Sequence, residues 1–181
     1  NANFDLNDLN LDYFTNKNFT KLSIFDSDVK TNLNSKQNLI SLKGKYSLNE
    51  GRKLDFDISQ SIKKKLFNLK FSADYDELLD FELINYSKKK GDIANISFDL
   101  IKDKNSFKMN QINYKDGKNS FILSGAEFSN GKLLILDQLL VKTFKDDEKN
   151  NDFLILFEND IFVKGKKFDA SNLQKVLNKK S

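Results

Sequence analysis

The sequence predicts an all-β protein: a long, curled antiparallel sheet of about a dozen strands with a short C-terminal helix. Three observations predict it. The first is a period-two alternation that restarts about every ten to twelve residues, as in Leu54-Asp55-Phe56-Asp57-Ile58, Phe67-Asn68-Leu69-Lys70-Phe71, Leu79-Asp80-Phe81-Glu82-Leu83 and Ile96-Ser97-Phe98-Asp99-Leu100. Successive side chains of a strand point to opposite faces, so each run gives one apolar and one wet face. The second is the set of turn steps between the runs: Glu50-Gly51, Lys90-Gly91, Asp116-Gly117 and Asn130-Gly131. Asp-Gly and Asn-Gly suit a type I′ hairpin turn, which needs positive φ at both central residues. The third is a group of glycines inside strand-like runs, Gly44, Gly125 and Gly165. Such glycines mark bulges or sharp coiling, and they predict a sheet that curls.

Taken in order, strands are expected near 3–13, 20–27, 37–48, 53–60, 66–73, 79–86, 92–101, 105–114, 118–127, 131–143, 151–157 and 160–165. The runs at Phe121-Ile122-Leu123, Leu134-Ile135-Leu136 and Phe153-Leu154-Ile155-Leu156-Phe157 are apolar on both faces. The polar stretch from Lys145 to Asn151 reads as an exposed loop. A helix is expected at about 170–178. Ser171 can cap it, Leu173, Val176 and Leu177 share one face, and Lys179 and Lys180 suit the far end of its dipole. No stretch rich in Gly, Ser or Pro divides the chain, so residues 1–181 read as one continuous β-domain. The first residues already alternate, and the chain reads as a fragment of a larger repetitive protein.

Composition narrows the chemistry by subtraction. There is no His, Cys, Trp or Pro. The commonest general base, the thiol nucleophiles and the soft metal ligands are missing, so no catalytic residue, metal site or cofactor is expected. Asp55 with Asp57, and Asp74 with Asp76, share a face, but the spacing is that of the wet side of a sheet. The cluster Asp146-Asp147-Glu148 lacks the spaced ligands and turn glycine of a calcium loop. The net charge of +4 is a small difference between 30 basic and 26 acidic residues, and Arg52 is the one arginine. Nucleic-acid readers concentrate arginine on one face, so no nucleic-acid partner is expected. The lysine runs 63–65 and 88–90 read as hairpin tips or strand edges.

The functional question is what covers the apolar face. The candidates lining it are Phe56, Ile58, Phe67, Leu69, Phe71, Leu79, Phe81, Leu83, Phe98, Leu100, Phe121 and Leu123. Hairpin pairing would bring them into one surface. Either a second sheet covers it, making a non-catalytic structural or adhesive sandwich, or a ligand with a long hydrocarbon part does.

The last third adds a resemblance. Gly125-Ala126-Glu127-Phe128 leads to Leu139-Leu140-Val141-Lys142-Thr143. Asn151-Asp152-Phe153, Ile161-Phe162-Val163-Lys164-Gly165 and Lys167-Phe168-Asp169-Ala170-Ser171 follow. Over residues 91–178 this succession resembles the AsmA-like, YhdP-type proteins of Gram-negative bacteria. The resemblance implies a curled groove projecting into the periplasm, anchored in the inner membrane by a segment outside this chain. It implies neighbouring β-repeats and a part in moving phospholipid between the inner and outer membranes, with acyl chains as the partner of the apolar face.

Overall fold

A computed structural model describes residues 2–5, 21–33, 38–63, 66–103, 106–129 and 132–178. One large antiparallel sheet of 12 strands dominates it. The strands are β1 (Ala2–Asp5), β2 (Lys21–Leu33), β3 (Asn38–Leu48), β4 (Leu54–Lys63) and β5 (Leu66–Tyr75). After an excursion they continue as β8 (Ala94–Asp103), β9 (Ser106–Asp116), β10 (Asn119–Ser129), β11 (Lys132–Ile135), β12 (Gln138–Lys145), β13 (Glu148–Phe157) and β14 (Ile161–Lys167). Each strand pairs with its predecessor in chain order, except that β8 pairs with β5 and β12 pairs with β10 beside β11. The sheet is open: among the described residues β14 pairs only with β13, and β1 only with β2.

The alternation sets the register. Cross-strand partners run Val29, Leu42, Ile58, Phe71, Phe98, Ile112, Leu123, Leu139, Ile155, Val163, an unbroken apolar row over ten strands. The opposite face carries cross-strand ion pairs, Lys43 with Asp57 and Lys45 with Asp55 (both 2.6 Å) and Lys108 with Glu127 (3.2 Å). A one-residue slip would exchange these two surfaces, so the register is strongly specified.

The glycines inside strands sit where the sheet bends. Gly44 lies opposite the β2 bulge at 26–27, and a Cβ there would fall 2.8 Å from Ser27 Oγ. Gly125 has φ +68°, and a Cβ would overlap Asp137, the residue at which the expected strand 131–143 breaks into β11 and β12. These features give curl to strands that would otherwise lie flatter.

Four expectations are corrected. The run 79–86 is not a strand of the sheet. It forms β6 (Leu79–Phe81), a 3₁₀ turn (Glu82–Ile84) and β7 (Tyr86–Lys88), a separate two-stranded ribbon between β5 and β8. The ribbon folds onto the apolar face, and Leu79, Ile84 and Tyr86 form the core with Ala94, Tyr114, Val141 and Phe153. The polar stretch 145–151 is strand on both sides of a turn at Asp146-Asp147, where both residues take positive φ without glycine (51° and 64°). Lys88 is no surface lysine but 1 % exposed. The helix, α1 (Leu173–Asn178), starts after Ser171 as expected, but the amide of Ser171 donates to Asp169 Oδ1 (3.1 Å), so Asp169 supplies the local turn. The side chains of Val176 and Leu177, and the positions of Asn130-Gly131, Lys64, Lys65, Lys179 and Lys180, lie outside the described residues, as do residues 6–20 of the first expected strands.

Candidate functional site

The apolar face divides into an open part and a covered part. Phe56 and Ile58 on β4, Phe67, Leu69 and Phe71 on β5, Phe98 and Leu100 on β8, and Leu123 on β10 lie on it in register. Phe71 stacks on Phe98 with ring centroids 4.9 Å apart. Toward the N-terminal edge the sheet curls into a hollow of about 210 Å³ lined by Leu22, Ile24, Tyr46, Phe56, Ile58, Phe71 and Ala73. Residues of β2 and β5 line one hollow with two strands between them, so the apolar face is the concave one. The hydroxyl of Tyr46 reaches across β4 and donates to the carbonyl of Asp74. Its own hydrogen bond is thus met, and burial, reinforced by Asp76 and Asp74, pushes its pKa far above the ordinary tyrosine value. The hollow is lined by carbon with no free charge.

The covered part lies at the end of the sheet that carries the turns 49–51, 117–118 and 146–147. Here the ribbon sits on Phe121, whose ring lies 5.3 Å from Phe81, 5.0 Å from Tyr86 and 5.5 Å from Tyr114. Three of the predicted lining residues therefore belong to the cover. Leu79 is buried in the core, Phe81 packs against the face, and Leu83 is 46 % exposed on the 3₁₀ turn. Phe121 lies beneath them. Tyr86 donates to Asp116 Oδ2 (2.9 Å), which leaves Tyr114 to donate to Tyr86 (2.7 Å). Burial raises the pKa of both hydroxyls, so they stay neutral donors. Lys88 Nζ donates to the carbonyls of Glu77 (2.7 Å) and Lys89 (3.1 Å), which ties the neck of the ribbon.

A polar latch holds the ribbon down. Asn151, 0 % exposed, donates through Nδ2 to the carbonyl of Ile84 (2.7 Å) and to Thr143 Oγ1 (2.7 Å). Its Oδ1 accepts from the amide of Asp169 (2.8 Å). Asp169 Oδ2 accepts from Asn85 (2.9 Å) and Asn150 (3.2 Å), and Thr143 donates to Asn150 Oδ1 (2.7 Å). Bonds from Ser171, then Asn85 and Asn150, hold the Asp169 carboxyl well below its usual range. The latch thus fastens three distant segments, the ribbon, the β12–β13 hairpin and the start of α1. Two of its members, Asn151 and Asp169, belong to the Asn-Asp-Phe and Phe-Asp-Ala-Ser steps, so those motifs do structural work here.

The carboxylates considered for chemistry lie elsewhere. Asp55 and Asp57 pair with lysines on the convex face, and Asp74 accepts from Asn95 Nδ2 (3.2 Å). Among the described residues no group of three His, Cys, Asp or Glu could hold a metal, and no helix is long and apolar enough to cross a membrane. Sequence reasoning missed Leu22, Ile24, Tyr46 and Ala73 as lining. Only the pairing of β2 through β5 brings them together, although Leu22 and Ile24 do alternate.

No family model matches the chain, and neither a curated protein nor a solved structure does.

Proposed function

We propose that this chain is a segment of a lipid-handling groove of the AsmA-like kind, whose concave face shields acyl chains while phospholipid moves between the inner and outer membranes. The observation that carries the reading is the apolar row over ten strands of an open sheet. A groove of this composition offers a dry lining and no reactive centre, which suits cargo that is moved and not changed. The periplasm is the compartment this reading requires, with anchoring outside the chain and neighbouring β-repeats extending the sheet. The role is non-catalytic and uses no cofactor.

The test is a charge in the open groove. Phe81 is no place for it, since a carboxylate there would be driven into the ribbon core. Phe71→Asp puts the charge where water can reach it when lipid is absent. Purified from membranes, the wild-type chain should carry phospholipid in native mass spectrometry. Phe71→Asp should fold, by circular dichroism, and come without it. Lipid-free wild type, or a variant that unfolds, would favour the second reading, a non-catalytic structural or adhesive module. That reading draws on the edge strand β14, where Ile161 and Val163 stand 69 % and 60 % exposed, open to pairing with another strand.

A further inference from the structure

The concave face has two unlike ends. At one the ribbon fills it. At the other, Ile62 and Phe107 are exposed, and Lys102 sits among them. Register places Lys102 between Phe67 of β5 and Phe107 of β9, in line with Leu100, Phe98, Ile96 and Ala94 along β8. Its Nζ lies 5.1 Å from the centroid of the Phe107 ring. A cation at the rim of an otherwise apolar lane is the arrangement that receives an amphiphile with an anionic head.

The lane has a measurable length. Ile96 packs against the ribbon core, and Lys102 stands six residues away on the same strand. At about 3.3 Å per residue the free lane is about 20 Å long. One leaflet allots its acyl chains about 15 Å, half of a hydrocarbon core about 30 Å thick. The far end is fixed. Tyr75 and Ala94 are direct partners in the ladder, so a tight turn would join β5 to β8. The chain instead inserts residues 76–93 and lays Leu79, Phe81, Ile84 and Tyr86 where further methylenes would go.

We infer that the lane from Lys102 to the ribbon is a dead-end slot for one acyl chain of an anionic lipid, with the head at Lys102 and the methyl end stopped by the ribbon. This rests on the acyl-chain reading above and adds to it a polarity, a head-group charge and a length limit.

The test is a titration of the whole chain with saturated fatty acids of eight to twenty-two carbons, each paired with its alcohol, by calorimetry. Affinity should rise with length, by up to about fourfold per methylene, and then stop rising at a defined length. A variant in which an Asn-Gly turn replaces residues 76–93 should bind without that break. Lys102→Gln should weaken the acids at least fivefold and leave the alcohols unchanged. An identical break with and without the ribbon, or no break in the wild type, overturns the stop while lipid binding stands. Equal effects of Lys102→Gln on acids and alcohols overturn the head-group assignment. No binding of any probe overturns both this slot and the acyl-chain reading. Should the ribbon-less variant not fold, palmitic acid bearing a diazirine at its methyl end decides on the wild type. Labelling of Phe81, Ile96 or Phe98 supports the stop, and labelling of Val141 or Phe153, or of no residue near the ribbon, refutes it.

Discussion

Asn151→Ala removes the side chain at the centre of the latch. Its amide is fully buried and serves three partners. The carbonyl of Ile84 lies in the core and would lose its donor, a cost of about 1–3 kcal/mol. Thr143 keeps its bond to Asn150 and loses an accepted one, about 1 kcal/mol. The Asp169 amide is half-buried and can turn partly to water, so it adds about 1 kcal/mol. Together the loss is about 3–5 kcal/mol, a large share of the stability of an ordinary domain. A drop of about 10 °C in Tm would follow for a chain of this size. Urea unfolding gives the value directly if m is unchanged. Asn159→Ala, on an exposed turn, should stay within about 0.5 kcal/mol and serves as control. Hydrogen exchange should show the amides of residues 79–88 opening before those of β8 and β9 in the Asn151 variant. A loss under about 1 kcal/mol, or a ribbon as protected as in the wild type, would refute the latch.

Three further outcomes are expected. Gly125→Ala should cost more than about 2 kcal/mol. Positive φ alone costs an L-residue about 1–2 kcal/mol, and the new methyl overlaps Asp137; adding Asp137→Gly should restore the steric part in the same urea assay. Asp169 has a depressed folded pKa, so its contribution is fully present above its ordinary value of 3.8 and is lost as pH falls through the folded value. The wild type should therefore lose Tm more steeply than Asp169→Asn as the pH falls below about 4, and the variant should melt lower at neutral pH and approach it only in strong acid; parallel curves would count against the latch carboxylate. Phe71→Asp should leave the far-ultraviolet spectrum unchanged while co-purified lipid is lost, and retained lipid would remove Phe71 from the groove.

The sheet was legible because its rule is local. Alternation in Leu54–Ile58 or Ile96–Leu100 states which side chains share a face, and pairing does the rest. Gly44 and Gly125 betrayed the bends because no other residue fits there. The ribbon was misread because a strand lying on a sheet alternates like a strand within it. Leu79-Asp80-Phe81-Glu82-Leu83 gives no sign of which it is. The clue available was Leu83-Ile84, two apolar neighbours where alternation fails, followed by Asn85, which takes φ 51°. The latch was hidden for another reason. Hydropathy reads Asn150, Asn151 and Thr143 as solvent-facing, and only partners distant in sequence make their burial affordable. Lys88 was missed likewise, since its neighbours Lys89 and Lys90 are exposed and a run of three reads as one surface patch.

The pairing order of the sheet limits how such a protein can change its size. Nearly every strand lies beside the one made just before it, so length along the apolar row is a matter of hairpin number, at about 4.8 Å per strand. Insertion of a single strand would reverse the direction of every strand after it. Turns now beside the ribbon would move to the Lys102 rim, and the latch residues of β12, β13 and α1 would arrive at the wrong end. A single strand therefore cannot be gained or lost between the ribbon and its latch, whereas strands added before β5 carry ribbon and latch along together. Lineages of this chain should differ in length outside that span, with the ribbon-to-latch spacing held constant.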